Sequence, residues 1–341
     1  VTGVQTCALP ISNLHRHPYQ GELAARLAAW SGLERVFFSN SGTEAMEAAL
    51  KAARARANQQ GRRRHRIVAL ENGFHGRTAG ALAVTGQAKY RDPFLPLVPD
   101  VVFVPANDGT ALEAAVDADT IAIVAETILG EGGIHPLSAP FLTFIRRLAT
   151  QRDALWIADE TQCGLGRTGE RFAYQHHPEA GLPDVVVTAK PLGGGLPLGA
   201  TIFNAAAGAA ISQGLHGTTF GGGPLACHVA LEFFDILEEL LPNIIHVGGY
   251  FRMQLMELAR HYSFIKEVRG FGLMVGVELE FPGKQIVLDC MDNGLLINCT
   301  HGTVLRCLPP YILTEQDVDR AIKVLKGVFK KTKAPAPTPG V

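Results

Sequence analysis

Two stretches, ALWIADETQ (Ala154 to Gln162) and VVVTAKPLGGG (Val185 to Gly195), carry the fold. Each is a short, continuous apolar run that ends in polar residues, the pattern of a strand covered on both faces in a parallel sheet. Asp159 and Lys190 therefore sit at the carboxyl ends of buried strands, where open α/β sheets bind ligands. Similar runs occur at Ile67 to Leu70, Val101 to Val104 and Ile121 to Ala125. Helical or loop stretches long enough for crossovers separate most of them. The reading is a mainly parallel α/β domain over residues 12–241. It is preceded by a helical stretch from Tyr19 to Ala29 and a short extended run from Val36 to Phe38. A helix from Pro224 to Leu240 closes it, and Pro242 separates that helix from another over Ile244 to Leu258. Residues 242–333 then read as a smaller α+β domain, with strands in GLMVGVELE (Gly272 to Glu280), LLIN (Leu295 to Asn298) and VLRCL (Val304 to Leu308) and a helix from Glu315. The Pro-rich residues 334–341 are expected to be a disordered tail.

Length and charge narrow the function. A chain of 341 residues exceeds what one hydrophobic core usually supports, so two structural units are expected. With 31 basic against 32 acidic residues there is no global field for nucleic acid or an anionic membrane. No apolar run reaches the roughly 18 residues of a membrane span, so a soluble chain is expected. The six cysteines form no CxxC pair and no His/Cys cluster at zinc spacing, which fits reduced thiols in a cytoplasmic protein without a structural metal. Residues Val1 to Ile11 read as the translation of a sequencing-library adapter. They are expected to be a non-native scar, with Cys7 part of it and a native N-terminal section missing upstream.

SNSGTEAMEAALKAAR (Ser39 to Arg54) opens with Ser41-x-x-Glu44, a capping box, and places Ala45, Met46, Ala49, Leu50 and Ala53 on one helical face. Amides at Gly42 and Thr43 would favour an anion at the positive end of that helix. Alone this is an ordinary capped helix. Joined to Asp159 and Lys190 it acquires a chemical meaning. A lysine amine can form a Schiff base with an aldehyde cofactor, and a buried carboxylate can keep a pyridine nitrogen protonated as an electron sink. Gly164 to Gly169, GLGRTG, matches a dinucleotide fingerprint, with Asp184 twenty residues beyond its first glycine. The context fails: ERFAYQHHP has no apolar helical period, and Asp184 precedes a strand. His176 and His177 are adjacent, so their side chains diverge, and no third metal ligand is placed.

NSGTEAMEAALKAAR, GFHGRTAGALAVTG, ADETQCGLGRTG, AKPLGGGLPLGA and HGTTFGGGPLA together resemble, in order and spacing, the class III aminotransferases. These are pyridoxal-phosphate enzymes of the fold-type-I architecture. The run LLINCTHGTVLRCLPPYILTEQDVDRAI is most similar to the acetylornithine aminotransferase branch. The resemblance implies that Lys190 forms the Schiff base with pyridoxal 5'-phosphate and later shuttles a proton, and that Asp159 partners the pyridinium nitrogen. It also implies that Gln162 neighbours the ring hydroxyl, Gly42 and Thr43 hold the phosphate, and Phe74 stacks on the ring. Thr219 would reach the phosphate of a neighbouring subunit, because the family shares its active site across a homodimer.

Arg77 is implied to take the distal carboxylate of an ω-amino donor, and Arg306 the carboxylate beside the reacting carbon of glutamate. Glu131, in ETILGEGG, would pair with Arg306 when the donor lacks that carboxylate. Arginine suits both tasks because its planar fork binds carboxylates bidentately. The expected reaction moves the terminal amino group of an N-acylated diamino acid, N-acetylornithine-like, to 2-oxoglutarate. Ornithine, succinylornithine, 4-aminobutyrate and lysine-type ω-aminotransferases, or a non-catalytic pseudoenzyme of the same fold, are the alternatives. Thr127-Ile128-Leu129 departs from the Pro-Ile/Val-Gln that relatives often carry, and Gly223 stands where many have Asn.

Overall fold

A computed structural model describes residues 17–63 and 65–332. The expected scar at 1–11, with Cys7, and the expected tail at 334–341 lie outside the described residues. The chain forms two compact units. The first takes its described residues from Val1–Thr127, Leu137–Leu165 and Glu170–Glu238, and the second from Ile128–Pro136, Gly166–Gly169 and Glu239–Val341.

The first unit is built on a seven-stranded sheet. Its strands are β1 (Arg35–Ser39), β2 (Arg66–Leu70), β3 (Val101–Val104), β4 (Thr120–Glu126), β7 (Leu155–Asp159), β8 (Val185–Thr188) and β9 (Gly199–Phe203). The order across the sheet is β1-β9-β8-β7-β4-β2-β3. Only β9 runs against the others, pairing antiparallel with both β1 and β8. Every residue of β4, β7, β8 and β9 is buried, as expected of strands covered on both faces. Glu126 pairs in register with Asp159, and Asp159 with Val187, so the carboxyl ends of β4, β7 and β8 share one edge. β9 has no counterpart in the sequence reading, since GATIF follows a glycine-rich turn with no alternation or long apolar run to announce it.

The helix Gly42–Gln59 packs on this sheet through Ala45, Met46, Ala49, Ala52 and Ala53. Alanine on that face lets the helix approach closely, and the larger Met46 contributes about 1.5–3 kcal/mol by its burial. Ser41 caps the helix by accepting the Glu44 amide at 3.3 Å, while Glu44 Oε2 reaches back to the Asn40 amide at 2.8 Å.

The second unit has a four-stranded antiparallel sheet formed by β10 (Ile265–Phe271), β11 (Met274–Leu279), β12 (Asn298–Thr300) and β13 (Val304–Cys307). Their order is β10-β11-β13-β12. The helix Glu315–Lys331 lays Val318, Ile322, Leu325, Val328 and Phe329 into its core, spaced for one helical face. A two-stranded hairpin, β5 (Ile128–Leu129) with β6 (His135–Pro136), also belongs to this unit.

Two expectations are corrected. LLIN (Leu295 to Asn298) is not a strand, since β12 begins only at Asn298 and runs to Thr300. Pro224 to Leu240 and Ile244 to Leu258 are not separate helices but parts of a single helix, Pro224–His261, with Pro242 inside it. An interior proline costs about 3 kcal/mol in a helix. Here Leu237, Ile244 and Val247, spaced to share a face, are all buried, and their packing outweighs the lost hydrogen bond.

Candidate active site

At the carboxyl edge of the first unit's sheet, four loops converge. β1 ends at Ser39 and turns through Asn40 and Ser41 into the helix Gly42–Gln59. Gly42 lies so close to the loop after β7 that a Cβ there would stand 2.7 Å from Thr161 Cγ2 and 3.5 Å from Ala189 Cβ. It thus borders the neighbours in sequence of both Gln162 and Lys190. Thr43 Oγ1 is 2.9 Å from Thr78 Oγ1 and accepts the amides of Arg77 and Thr78, each at 3.3 Å. The first turn of this helix is therefore laced to the loop that follows β2.

Asp159 closes β7 and is only 3 % exposed. Its Oδ1 accepts the Thr161 amide at 3.0 Å, and its Oδ2 lies 2.8 Å from His75 Nδ1. His75 is fully buried; burial lowers its pKa, but the hydrogen bond to Asp159 and the negative charges of Asp159 and Glu126 raise it, and the net effect is upward. Glu126, at the end of β4, accepts the Phe74 amide at 2.8 Å through Oε1. Phe74 is half-buried, with Tyr90 edge-on at 5.9 Å. The Arg77 guanidinium stands 4.0 Å over the Tyr90 ring and 5.4 Å from that of Phe74, an arrangement that orients an otherwise exposed arginine.

Lys190 is exposed, two residues past the end of β8. Gln162 is half-buried in the loop after β7, and Thr219 is exposed. Asn40 Nδ2 donates to Thr218 Oγ1 at 3.1 Å, which ties the segment bearing Thr219 to the turn before Gly42. Gly42, Thr43, Phe74, Arg77, Asp159, Gln162, Lys190 and Thr219 all belong to the first unit. His75 Nε2, Thr161 Oγ1 and Thr188 Oγ1 are buried here without a hydrogen-bond partner among the described residues. Buried polar atoms in folded proteins are nearly always paired, so three at one edge mark a place where a polar ligand would complete the bonding.

Arg306 and Glu131 belong to the second unit. Arg306 Nη1 is 2.6 Å from Glu131 Oε1 and 3.3 Å from the Gly130 carbonyl, while Nε donates to Asn298 Oδ1 at 3.2 Å. The arginine side chain is 9 % exposed and the glutamate 30 %, so the pair is partly open to solvent.

GLGRTG forms a series of turns that leads to the short 3-10 helix Ala173–His176. Asp184 is structural: Oδ2 accepts the Trp156 amide at 2.8 Å and pairs with Arg146 at 2.8 Å. The residues that sequence reasoning missed are His75, Glu126, Thr161 and Tyr90. His75 and Thr161 lie inside motifs already singled out, but only the fold reveals which neighbours they meet.

Comparison with known proteins gives this edge its context. The family description "Aminotransferase class-III" matches residues 4–329. An acetylornithine aminotransferase of Methanocaldococcus jannaschii is 46 % identical over 325 residues, 94 % of this chain and 81 % of that protein. One from Aquifex aeolicus is 44 % identical, over 94 % of this chain and 84 % of its own. Among solved structures, the ornithine aminotransferase from Toxoplasma gondii, described with partial occupancy of PLP at its active site, superposes with a TM-score of 0.88. It is 31 % identical, and the match covers 96 % of this chain and 80 % of that one. N-acetylornithine aminotransferase from Stenotrophomonas maltophilia gives a TM-score of 0.80 at 32 % identity, over 94 % of this chain and 81 % of that one. With the mostly parallel mixed sheet of fold type I and a match over nearly its whole length, the chain belongs to the class-III aminotransferases.

Proposed function

We propose that the chain transfers the terminal amino group of N-acetylornithine, or a close N-acylated diamino acid, to 2-oxoglutarate with pyridoxal 5'-phosphate as cofactor, giving a semialdehyde and glutamate. One observation carries the reading: the buried Asp159 carboxylate is held by His75 and the Thr161 amide, while Lys190 follows three residues after the strand residue that pairs with Asp159. The names of relatives 41–46 % identical support the donor.

The residues present fit the cofactor. A carboxylate that already accepts two hydrogen bonds can accept a third from a protonated ring nitrogen. The amides that open the helix at Gly42 and Thr43 suit a phosphate, Phe74 offers a flat face, and Gln162 an amide. When bound, pyridoxal phosphate supplies an electron sink for the carbon that loses its proton. Asp159 then holds the proton on the ring nitrogen, with His75 fixing the carboxylate's orientation. Lys190 makes no hydrogen bond or ion pair among the described residues, so its amine is available to move a proton at the substrate carbon. Such positioned acid–base steps contribute about 10²- to 10⁴-fold. Arg77 takes the far carboxylate of the donor. Arg306 takes the carboxylate of glutamate beside the reacting carbon, and Glu131 occupies Arg306 for a donor that lacks one.

We place the activity in a cytoplasmic homodimer in which Thr219 reaches the partner's cofactor phosphate. Leu215, Phe220 and Leu225, exposed by 55 %, 60 % and 67 %, surround Thr219 in sequence and suit burial against a second copy. The test is Lys190→Ala with added cofactor: the absorbance band of lysine-bound cofactor should vanish, and its persistence would refute the assignment. A donor panel with 2-oxoglutarate separates N-acetylornithine from ornithine, the donor suggested by the Toxoplasma neighbour.

A further inference from the structure

We propose that Arg269 is a positioning residue that locks the backbone of the segment carrying Glu131, so that Glu131 yields Arg306 to a substrate carboxylate by moving its side chain alone. The inference rests on the reading of Arg306 and Glu131 given above and deepens it.

Arg269 lies on β10 and is 6 % exposed. Its Nε donates to the carbonyls of Gly133 at 3.0 Å and Ile134 at 3.1 Å. Nη2 donates to the Gly133 carbonyl at 2.6 Å and to His135 Nε2 at 3.0 Å. Nη1 pairs with Glu267 at 2.7 Å and with Glu278. A guanidinium has five N–H donors, and here all three nitrogens are engaged. The fork grips three consecutive residues of one segment while two carboxylates balance its charge.

That segment needs gripping. Ile134 has φ +53°, a left-handed conformation that a β-branched residue adopts only under strain, and its side chain is completely buried. Strained backbone persists where its surroundings over-determine it. On the side-chain side, β11 makes room through Gly276, where a Cβ would lie 2.9 Å from Ile134 Cβ. Further fastenings come from Thr300, whose hydroxyl donates to the Glu131 carbonyl at 2.6 Å, and from Arg306, which donates to the Gly130 carbonyl at 3.3 Å. The carbonyls of residues 130, 131, 133 and 134 are thus each held by a side chain from β10, β12 or β13. What remains adjustable is the Glu131 carboxylate, 30 % exposed on Arg306.

Lysine at 269 would keep the charge opposite Glu267 and Glu278 but cannot span two carbonyls and an imidazole. In the full chain loaded with cofactor, Arg269→Lys should raise KM for glutamate about tenfold, with kcat for glutamate and both constants for the amine donor within twofold of the parent. Amide hydrogen exchange over residues 130–135 should quicken about tenfold, while exchange in the helix Glu315–Lys331 stays unchanged. In a Glu131→Gln background, the added effect of Arg269→Lys on glutamate should shrink to within twofold. If Arg269→Lys does not fold, Gly276→Ala presses on Ile134 with Arg269 intact and should give the same pattern. Unchanged exchange at 130–135, equal losses in both half-reactions, or an undiminished glutamate effect beside Glu131→Gln would overturn the proposal. If Glu131→Gln alone alters neither half-reaction, the carboxylate reading falls and this proposal with it. That failure is recognisable because exchange at 130–135 would still respond to Arg269→Lys.

Discussion

His75 Nδ1 stands 2.8 Å from Asp159 Oδ2, with neither side chain more than 4 % exposed. A buried carboxylate stripped of such a partner loses several kcal/mol, because its desolvation is no longer compensated. The pKa of His75 is raised in the folded chain, so its stabilisation is complete below the ordinary value of 6.5 and is lost as pH rises through the folded value. His75→Ala should therefore cost about 3 kcal/mol at pH 6 and less at pH 9. Urea unfolding at both pH values measures the gap, and an equal gap would show that the charge of His75 contributes nothing.

Gly42→Ala tests how tightly the helix start abuts the loop after β7. The new methyl would lie 2.7 Å from Thr161 Cγ2, and Thr161 is β-branched and stiff at χ1. Helix propensity favours alanine by about 1 kcal/mol, so stability alone is an ambiguous readout. Pyridoxal phosphate affinity is not. Equilibrium dialysis should show about tenfold weaker retention, equivalent to about 1.4 kcal/mol, a typical cost of overpacking. Unaltered retention would mean that Thr161 moves aside freely.

The Thr127 hydroxyl donates to Glu160 Oε1 at 2.5 Å. Glu160 is fully buried; burial raises its pKa, and hydrogen bonds from Thr127, the amides of Ala173 and Tyr174 and the Cys163 thiol only partly offset this. A carboxyl whose folded pKa is raised costs stability as pH climbs from about 4.5 through the folded value. Thr127→Val should remove about 1 kcal/mol and widen that loss. Melting curves at pH 5 and pH 8 should show the wild-type advantage growing with pH; a constant advantage would remove Glu160 from the explanation.

The parts of this fold that announce themselves in sequence are those whose signal is local. β4, β7 and β8 are continuous apolar runs, and Ser41 with Glu44 marks a helix start by capping chemistry alone. Asp159 and Lys190 follow from standing at strand ends. β9 is silent because GATIF owes its place to the neighbours that sandwich it, β1 and β8, far apart in the chain. Pro242 misleads because tertiary packing overrides a local rule. His75, in the loop after β2, meets Asp159, at the end of β7, across 84 residues and past the intervening β4. Arg269, one of three charged residues in KEVRGFG, shows its purpose only once Gly133 and Ile134 lie beneath it.

The same arginine makes His135 a sensor of acid. His135 Nε2 accepts from Arg269 Nη2 at 3.0 Å and can do so only while it carries no proton. Burial lowers the pKa of His135, and the charge of Arg269 lowers it further; Glu278 and Glu267 oppose this, and His301 adds to it. A histidine with a depressed folded pKa contributes stability that is intact above the ordinary 6.5 and is lost as pH falls through the folded value. His75 is already fully stabilising in that window, and Glu278, whose pKa is lowered from 4.5, acts below it. His135→Gln keeps an acceptor for Arg269 without a titrating group. Between pH 7 and pH 5 the wild-type melting temperature should fall about 2 °C further than that of the variant. Parallel curves would assign the acid sensitivity to another group and leave the Arg269 to His135 bond indifferent to protons.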